Sequence, residues 1–277
     1  MSINPSNTTN PATIGSVTQP IGRRYLVINA DDLGFSQQVN HAIDQALARG
    51  WISSSTLMAN APCCEEGVAV AQRHRSHASF GIHLNLTEFK PLTKTTELQR
   101  SGLLDEGGLF SGSIRELRGR PETMAACFDE LDAQIQQVRS MGLDISHFDS
   151  HHHIHTIPWM LPVIRRLQKK HGIWRMRTTM NVYGRRLHSK PPLTRILAKK
   201  AWSTICRLRG SRMPQVFTGL DVFLEDPTRK PFQQSNSIEL MCHPGQEGYG
   251  EDLFLLECCQ KLLKESPYHL RTFMNIN

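Results

Sequence analysis

Residues 25–32 read YLVINADD, a short apolar run that ends in two adjacent carboxylates. An uninterrupted run of this kind is typical of a strand buried on both faces of a parallel sheet. Ser36 then has the character of a helix N-cap, and Gly50 that of a C-terminal stop. Between them apolar residues recur at helical spacing: Val39, Ala42, Ile43, Ala46 and Leu47. This stretch predicts one strand-helix unit, with Asp31 and Asp32 at the carboxyl end of the strand.

The same alternation continues along the chain. Further strands are predicted near residues 52–59, 79–84, 144–148, 173–178, 215–217, 238–242 and 268–274. Helices are predicted near residues 65–73, from Pro121, and near 159–170, 192–207 and 252–264. A long Gly-containing loop separates two of these units, from Asn85 to about Arg120. Roughly seven or eight βα units in about 250 residues favour an α/β fold, a single (β/α) barrel of parallel strands, with a doubly wound sheet as the alternative.

Composition excludes several classes of protein. The chain has 277 residues, 39% hydrophobic and 21% charged, which is enough apolar material for a core and rules out a disordered chain. No apolar run reaches the length that a membrane span needs. The seven cysteines form no CxxC motif, so we expect reduced thiols. Residues 1–22 lack the features of a secretory signal, and we expect a disordered leader, a barrel domain over residues 23–277 and a cytoplasmic protein.

Positive charge is concentrated in the second half of the chain. Between Ser150 and Leu220 there are fifteen Lys or Arg and no Asp or Glu, although the net charge of the whole chain is only +7. Such a segment could bind a polyanion. Its basic residues recur at helical spacing opposite apolar ones, which is typical of solvated helix faces, and no nucleic-acid-binding motif accompanies them. We therefore expect no nucleic-acid partner and keep a polyanion-binding protein as the alternative.

Residues suited to metal or acid-base chemistry follow four predicted strands. They are the pair Asp31 and Asp32, His83, the run from Asp149 to His155, and His243. In a parallel barrel the carboxyl ends of the strands converge on one mouth, so these side chains are expected to meet. Asp32, His83 and His151 would form a set of one carboxylate and two imidazoles that leaves a position open on a divalent ion.

Each of these residues also has a purely structural interpretation. An aspartate after a strand is often a local cap, and a single histidine in a loop is often only hydrogen-bonded. The structural interpretation is weakest for the histidine run, because five of the thirteen histidines lie between His147 and His155. If the run is extended, His151, His153 and His155 point to one side and His152 to the other.

Four segments together resemble the YdjC-like carbohydrate deacetylases, whose best known members are chitooligosaccharide deacetylases. They read LVINADDLG (residues 26–34), GIHLNLT (81–87, with Pro91 and Leu92 after it), HFDSHHHIH (147–155) and ELMCHP (239–244). The match runs in order from Tyr25 to the C-terminus with family-like spacing. Two places depart from the family pattern. Thr179 stands where relatives tend to have proline, and the basic segment up to Arg212 matches nothing recognisable.

The resemblance implies a distorted (β/α) barrel of the glycoside hydrolase/deacetylase type. It also implies a divalent metal ion on Asp32, His83 and His151, and removal of an acetyl group from an N-acetylated sugar. Magnesium is the ion that the resemblance implies. The ligand types favour zinc, manganese or iron(II) instead, because magnesium prefers oxygen ligands. Relatives also suggest a homodimer.

Amide hydrolysis needs a base for the attacking water and an acid for the departing amine. Asp31 is the expected base and His243 the expected acid, because imidazole titrates near neutral pH. We expect His153, His155 and Arg177 to contact substrate, and Asp149 to orient an imidazole. A metal-dependent phosphoesterase is a further alternative, since the basic segment would suit a phosphorylated substrate.

Overall fold

Seven strands form one sheet at the centre of the computed structural model, which describes residues 24–94, 96–184 and 192–277. They are β1 (Arg24–Leu33), β2 (Ser54–Leu57), β3 (Ser79–Leu84), β4 (Phe148–Ser150), β5 (Val216–Gly219), β6 (Ser237–Cys242) and β7 (Tyr268–Leu270). Their order is β4-β3-β2-β1-β6-β5, and β7 pairs with the first residues of β1. Every pairing is parallel, so the carboxyl ends of the strands lie on one side.

The segment 175–182 links the two edge strands of this sheet. The main-chain N–H of Arg177 donates to the carbonyl of Phe148 in β4 at 3.2 Å, and the N–H of Val182 donates to the carbonyl of Phe217 in β5 at 2.8 Å. The sheet is thereby closed into a ring, which confirms the predicted barrel over the doubly wound alternative. The predicted strand at 173–178 is wrong, because this segment makes only isolated bridges. The barrel is distorted at this position.

Nine α-helices, counted over the described residues, cover the ring. They are α1 (Gln37–Ala48), α2 (Cys64–His74), α3 (Thr96–Arg100), α4 (Pro121–Ser140), α5 (Leu161–His171), α6 (Leu193–Leu208), α7 (Leu220–Glu225), α8 (Lys230–Gln233) and α9 (Asp252–Lys264). Ser36 caps α1 as predicted, since its hydroxyl accepts a hydrogen bond from the N–H of Val39 at 3.2 Å. The apolar face of α1 is buried against the sheet.

Several predicted boundaries shift in the structure. The strand predicted at 144–148 begins only at Phe148, and the last strand ends at Leu270 rather than at residue 274. The long loop after β3 contains the short helix α3 and a 3₁₀ turn at Ser113–Arg115. The leader predicted over residues 1–22 lies outside the described residues. No helix in the described part of the chain combines the length and the apolar character that crossing a bilayer requires.

Candidate active site at the carboxyl ends of the strands

A bulge at the end of β1 places two adjacent carboxylates in one cavity. The register between β1 and β2 shifts between Ala30 and Leu33, and Asp32 has a left-handed backbone with φ of 67°. In a regular strand neighbouring side chains point to opposite faces, whereas a bulge re-aims one of them. Both Asp31 and Asp32 therefore line the cavity, and both are buried.

His83, at the end of β3, is held from both sides of its ring. Its Nδ1 lies 2.6 Å from Asp149 Oδ1, and its Nε2 lies 3.2 Å from Asp32 Oδ1. Thr56 donates from its hydroxyl to the other oxygen of Asp149 at 3.1 Å. Burial alone would lower the pKa of His83, but the charge and hydrogen bond of Asp149, together with the neighbouring Asp32 and Asp31, outweigh burial and raise the pKa to about 10. Asp149 thus orients an imidazole through its far nitrogen, as expected from the sequence.

The histidine run is not the extended segment that the sequence predicted. Residues His151–Thr156 form a 3₁₀ turn in which His152 and His153 have left-handed φ angles of 51° and 54°. The turn is tied down by Arg115, which donates to the carbonyl of His152, and by Thr87, whose hydroxyl lies 3.0 Å from His152 Nδ1. The side chains consequently do not alternate between two faces.

His151 turns towards the carboxylate of Asp32. Its Nδ1 lies 2.9 Å from Asp32 Oδ1, and its Nε2 lies 3.3 Å from Glu88 Oε1 without a hydrogen bond of acceptable geometry. Burial acts to lower the pKa of His151, and the two carboxylates raise it overall. Burial likewise opposes ionisation of Asp32, but hydrogen bonds from His151 and His83 hold its pKa well below the usual range.

The residues present fit a divalent ion. One donor atom from each of Asp32, His83 and His151 lies within 4.8 Å of the others, which is close enough for three ligands of one ion at about 2.0–2.2 Å. Nε2 of His151 is a buried atom without a hydrogen-bond partner. Three more carboxylates lie beside this set: Asp149 contacts His83, Glu88 lies near His151, and Asp31 is bonded by a buried guanidinium.

Arg177 is that guanidinium, and its position corrects the expectation of a substrate contact. It is completely buried, and its nitrogens bond both oxygens of Asp31 at 2.6 and 2.7 Å. It also contacts Asp149 at 2.8 Å and Glu239 at 2.7 Å. Burial opposes the charge on Asp31, but Arg177 overcomes this and sets the pKa of Asp31 well below its usual range. Arg177 therefore fixes the orientation and the charge of Asp31 from below the cavity.

Glu239, on β6, is a buried acid that sequence reasoning missed. Burial raises its pKa to about 8, although the charge of Arg177 acts in the opposite direction. Its second oxygen has no hydrogen-bond partner, which is costly for a charged group and favours the neutral acid. A buried acid on a strand gives no local sequence signal, because its partner Arg177 is 62 residues away.

His243 approaches the same cavity from the loop after β6. Its Nε2 lies 4.0 Å from Asp31 Oδ2, and its ring lies 4.3 Å from the ring of Tyr249, centroid to centroid. The N–H of His243 donates to the carboxylate of Asp252 at the start of α9. Gly245 has φ of +79°, and a Cβ there would lie 2.8 Å from the carbonyl oxygen of Gln38. The loop is therefore pressed against α1, which fixes the position of the imidazole.

The cavity that these residues line has a volume of about 500 Å³. His153 lines this cavity. Burial and, to a smaller extent, the charge of Arg177 lower the pKa of His153 to about 3, so its imidazole is neutral near pH 7. His155 does not line it. This histidine is fully buried and bonds Ser150 Oγ at 2.5 Å, which corrects the expectation of a substrate contact. Its Nε2 has no partner, and burial holds its pKa well below the usual range.

Three further residues of the cavity wall were missed in the sequence. Glu88 follows β3, Arg115 lies in the long loop, and Tyr249 lies between two glycines after β6. Of these three, only Glu88 could have been found from the sequence, because it lies four residues beyond a predicted strand end. Arg115 and Tyr249 reach the cavity through loop paths that no periodicity describes.

Comparison with known proteins identifies the family and relatives of this chain. A family model described as YdjC-like protein matches residues 25–261. A carbohydrate deacetylase from Geobacillus stearothermophilus is 36% identical over 154 residues, which cover 54% of this chain and 58% of that protein. One from Vibrio cholerae serotype O1 is 34% identical over 148 residues, covering 53% of this chain and 56% of the relative. The matched region thus spans little more than half of each relative.

Solved structures share the fold at lower sequence identity. A proposed cellobiose-phosphate cleavage protein from Enterococcus faecalis V583 superposes with a TM-score of 0.71 at 22% identity, over 91% of this chain and 98% of that one. A Streptococcus mutans CE4 esterase superposes with a TM-score of 0.50 at 12% identity, over 91% and 87% of the two chains. These likenesses show that the distorted barrel is shared.

Proposed function

Because the chain belongs to the YdjC-like protein family, we propose that it is a metal-dependent carbohydrate deacetylase that removes an acetyl group from an N-acetylated sugar. The observation that carries this proposal is the gathering of Asp31, Asp32, His83, His151 and His243 around one cavity. Two relatives of this chain are named as carbohydrate deacetylases, which supports the reaction class.

Asp32, His83 and His151 are the residues that would hold the divalent ion. When bound, such an ion polarises the carbonyl of an acetyl group and lowers the pKa of a water molecule. Two imidazoles and one carboxylate suit zinc, manganese or iron(II), while the family resemblance favours magnesium. Asp149 supports the set by fixing which nitrogen of His83 faces the ion.

Asp31 acts as the proton acceptor for the attacking water. Arg177 keeps this carboxylate ionised, and ionisation is the first requirement for a base. The same contact weakens the carboxylate as a base, so its contribution depends on placement beside the reacting water more than on intrinsic basicity. Bonds to both oxygens of Asp31 hold the carboxylate at one orientation.

His243 delivers a proton to the departing amine. It lines the cavity and lies beside Asp31, so acceptor and donor flank the same space. The two other histidines that the sequence offers for this role are less suitable. His153 has its pKa lowered to about 3, and His155 is buried away from the cavity, so neither holds a transferable proton near neutral pH. His153 instead offers a neutral imidazole to a sugar hydroxyl or to the acetyl group.

The decisive experiment is acetate release from N-acetylglucosamine oligomers of increasing length and from N-acetylated glycolipids. The protein is stripped of metal with a chelator and then supplied with magnesium, zinc, manganese or iron(II) separately. We expect release to be abolished by the chelator and restored by one of the ions. No acetate from any substrate, together with phosphate release from a phosphorylated sugar, would favour the phosphoesterase alternative.

A homodimer and a cytoplasmic location remain predictions of the resemblance and of the sequence. Light scattering on the purified protein tests the first. Fractionation of cells that express the full chain tests the second.

A further inference from the structure

Helix α6 exposes an apolar stripe that the proposed reaction does not use. Nine large hydrophobic side chains are exposed in the described part of the chain, and five of them lie on this one helix: Leu193, Ile196, Leu197, Ile205 and Leu208. Leu208 is 82% exposed and Leu193 is 69% exposed. Isolated exposed leucines are ordinary, whereas a contiguous exposed stripe marks an interaction surface.

The stripe lies opposite the side by which α6 is anchored. At about 100° per residue, Leu193, Leu197 and Leu208 fall on one side of the helix within roughly 60° of one another. Trp202 and Cys206 lie on the other side and are buried. The first six residues of α6 are all exposed, so the helix rests on the barrel by its second half and presents leucines outward.

The charge on the helix that carries the stripe indicates the chemistry of its partner. Helix α6 contains four basic and no acidic residues, and Lys200 and Arg209 are exposed on and beside it. A basic helix with an apolar face suits the surface of a bilayer that contains anionic lipids, where leucines enter the acyl boundary and cations meet the headgroups. Packing α6 on α6 of a second copy would bring like charges together, and nucleic acid would leave the leucines in water.

Helix α6 lies close to the candidate active site by the side opposite the stripe. A cavity of about 250 Å³ is lined by Arg195, Lys199 and Trp202 of α6 and by Arg115, and Arg115 also lines the active-site cavity. The stripe itself therefore faces away from that cavity.

We propose that α6 is a peripheral membrane-docking helix that binds anionic lipid bilayers. The surface is independent of the deacetylase reaction, so it can be tested by binding alone. Flotation with phosphatidylcholine vesicles that contain phosphatidylglycerol should carry the wild-type chain to the lipid layer. Vesicles of phosphatidylcholine alone should bind it at least about tenfold more weakly, because the electrostatic attraction is missing.

Substitutions by glutamine separate the apolar contribution to vesicle binding from the ionic contribution. The double variant Leu197→Gln and Leu208→Gln keeps the net charge and should bind anionic vesicles about tenfold more weakly or worse. The matched control, Phe254→Gln with Met274→Gln, removes two other exposed hydrophobic side chains and should bind like the wild type. Lys200→Gln with Arg209→Gln should also weaken binding about tenfold, whereas Lys230→Gln with Lys264→Gln should not.

All variants should keep the circular dichroism spectrum and the acetate release from soluble oligomers of the wild type. Failure of the wild-type chain to float, or equal flotation of the leucine variant, would overturn the proposal. So would DNA binding that replaces vesicle binding, or a dimer that the leucine substitutions dissociate while no vesicle binds.

Discussion

Replacing Asp31 with asparagine tests the acid-base assignment, because it removes the charge and keeps the shape. We expect kcat for acetate release to fall by about 10²–10⁴, the usual contribution of a positioned base, which corresponds to about 2.7–5.4 kcal/mol of barrier. The ion should still bind, since Asp31 is not one of the three ligands proposed here. Isothermal titration of the stripped variant with the activating ion measures this separately.

The structure also limits the effect of this substitution on stability. Arg177 bonds both oxygens of Asp31, and asparagine keeps one acceptor oxygen, so one charge-assisted bond is lost. Removing the charge of one partner in a buried ion pair costs about 3–5 kcal/mol, at or below the low end of the ~5–15 kcal/mol that holds a typical domain folded. Arg177 keeps its contacts with Asp149 and Glu239. The variant should therefore fold, with a lower midpoint of urea unfolding.

The test of Asp31 requires both the activity and the folding of the variant to be measured. Asp44→Asn is a suitable control, because Asp44 pairs with Arg73 and His74 on the outer helices, away from the cavity. It should leave kcat unchanged. If the Asp31→Asn protein is folded, binds the ion and turns over at a near-normal rate, the assignment of Asp31 as base is refuted.

Three further predictions follow from the same geometry. His243→Ala should lower kcat by about a hundredfold or more with the ion still bound, and rescue by added imidazole would support the acid role, whereas an unchanged rate would exclude it. Asp32→Asn or His151→Ala should abolish both ion binding in titration calorimetry and acetate release; retained stoichiometric binding would contradict the ligand set. Burial raises the pKa of Glu239 from its ordinary value of 4.5 to about 8. The contribution of this side chain to the free energy of unfolding is therefore complete below about pH 4.5 and is lost as the pH rises through about 8. Relative to Glu239→Gln, the wild-type free energy of unfolding in urea should fall between about pH 5 and about pH 9, and parallel pH profiles would show that the acid is ionised throughout.

Periodicity and capping predicted most of the elements, because they act between neighbours in the chain. The bounds of β3 and α9 agree with those predicted, and Ser36 caps α1 as expected. The segment at 173–178 has strand-like composition but forms only isolated bridges, to Phe148 on one side and to Arg212 on the other. The neighbours of this segment depend on how the barrel closes, and no pattern within the segment itself indicates them.

The residue types at the strand ends are enough to indicate a metal and acid-base site. Their convergence on one cavity was predictable, because parallel strands bring their carboxyl ends to one side whatever the sequence between them. The orientation of each side chain was not predictable in the same way. Asp32 reaches the cavity through a bulge with a positive φ, and the histidine run turns through two left-handed residues where an extended segment was expected.

Arg177 and His155 show most clearly what could not be predicted from the sequence. Both were expected to contact substrate, yet both are completely buried and neither lines the cavity. The amino-acid order specifies which groups are available and roughly where along each element they stand. Whether a group faces solvent or a buried carboxylate depends on contacts between residues far apart in the chain, such as the 146 residues between Asp31 and Arg177, and only packing brings those together.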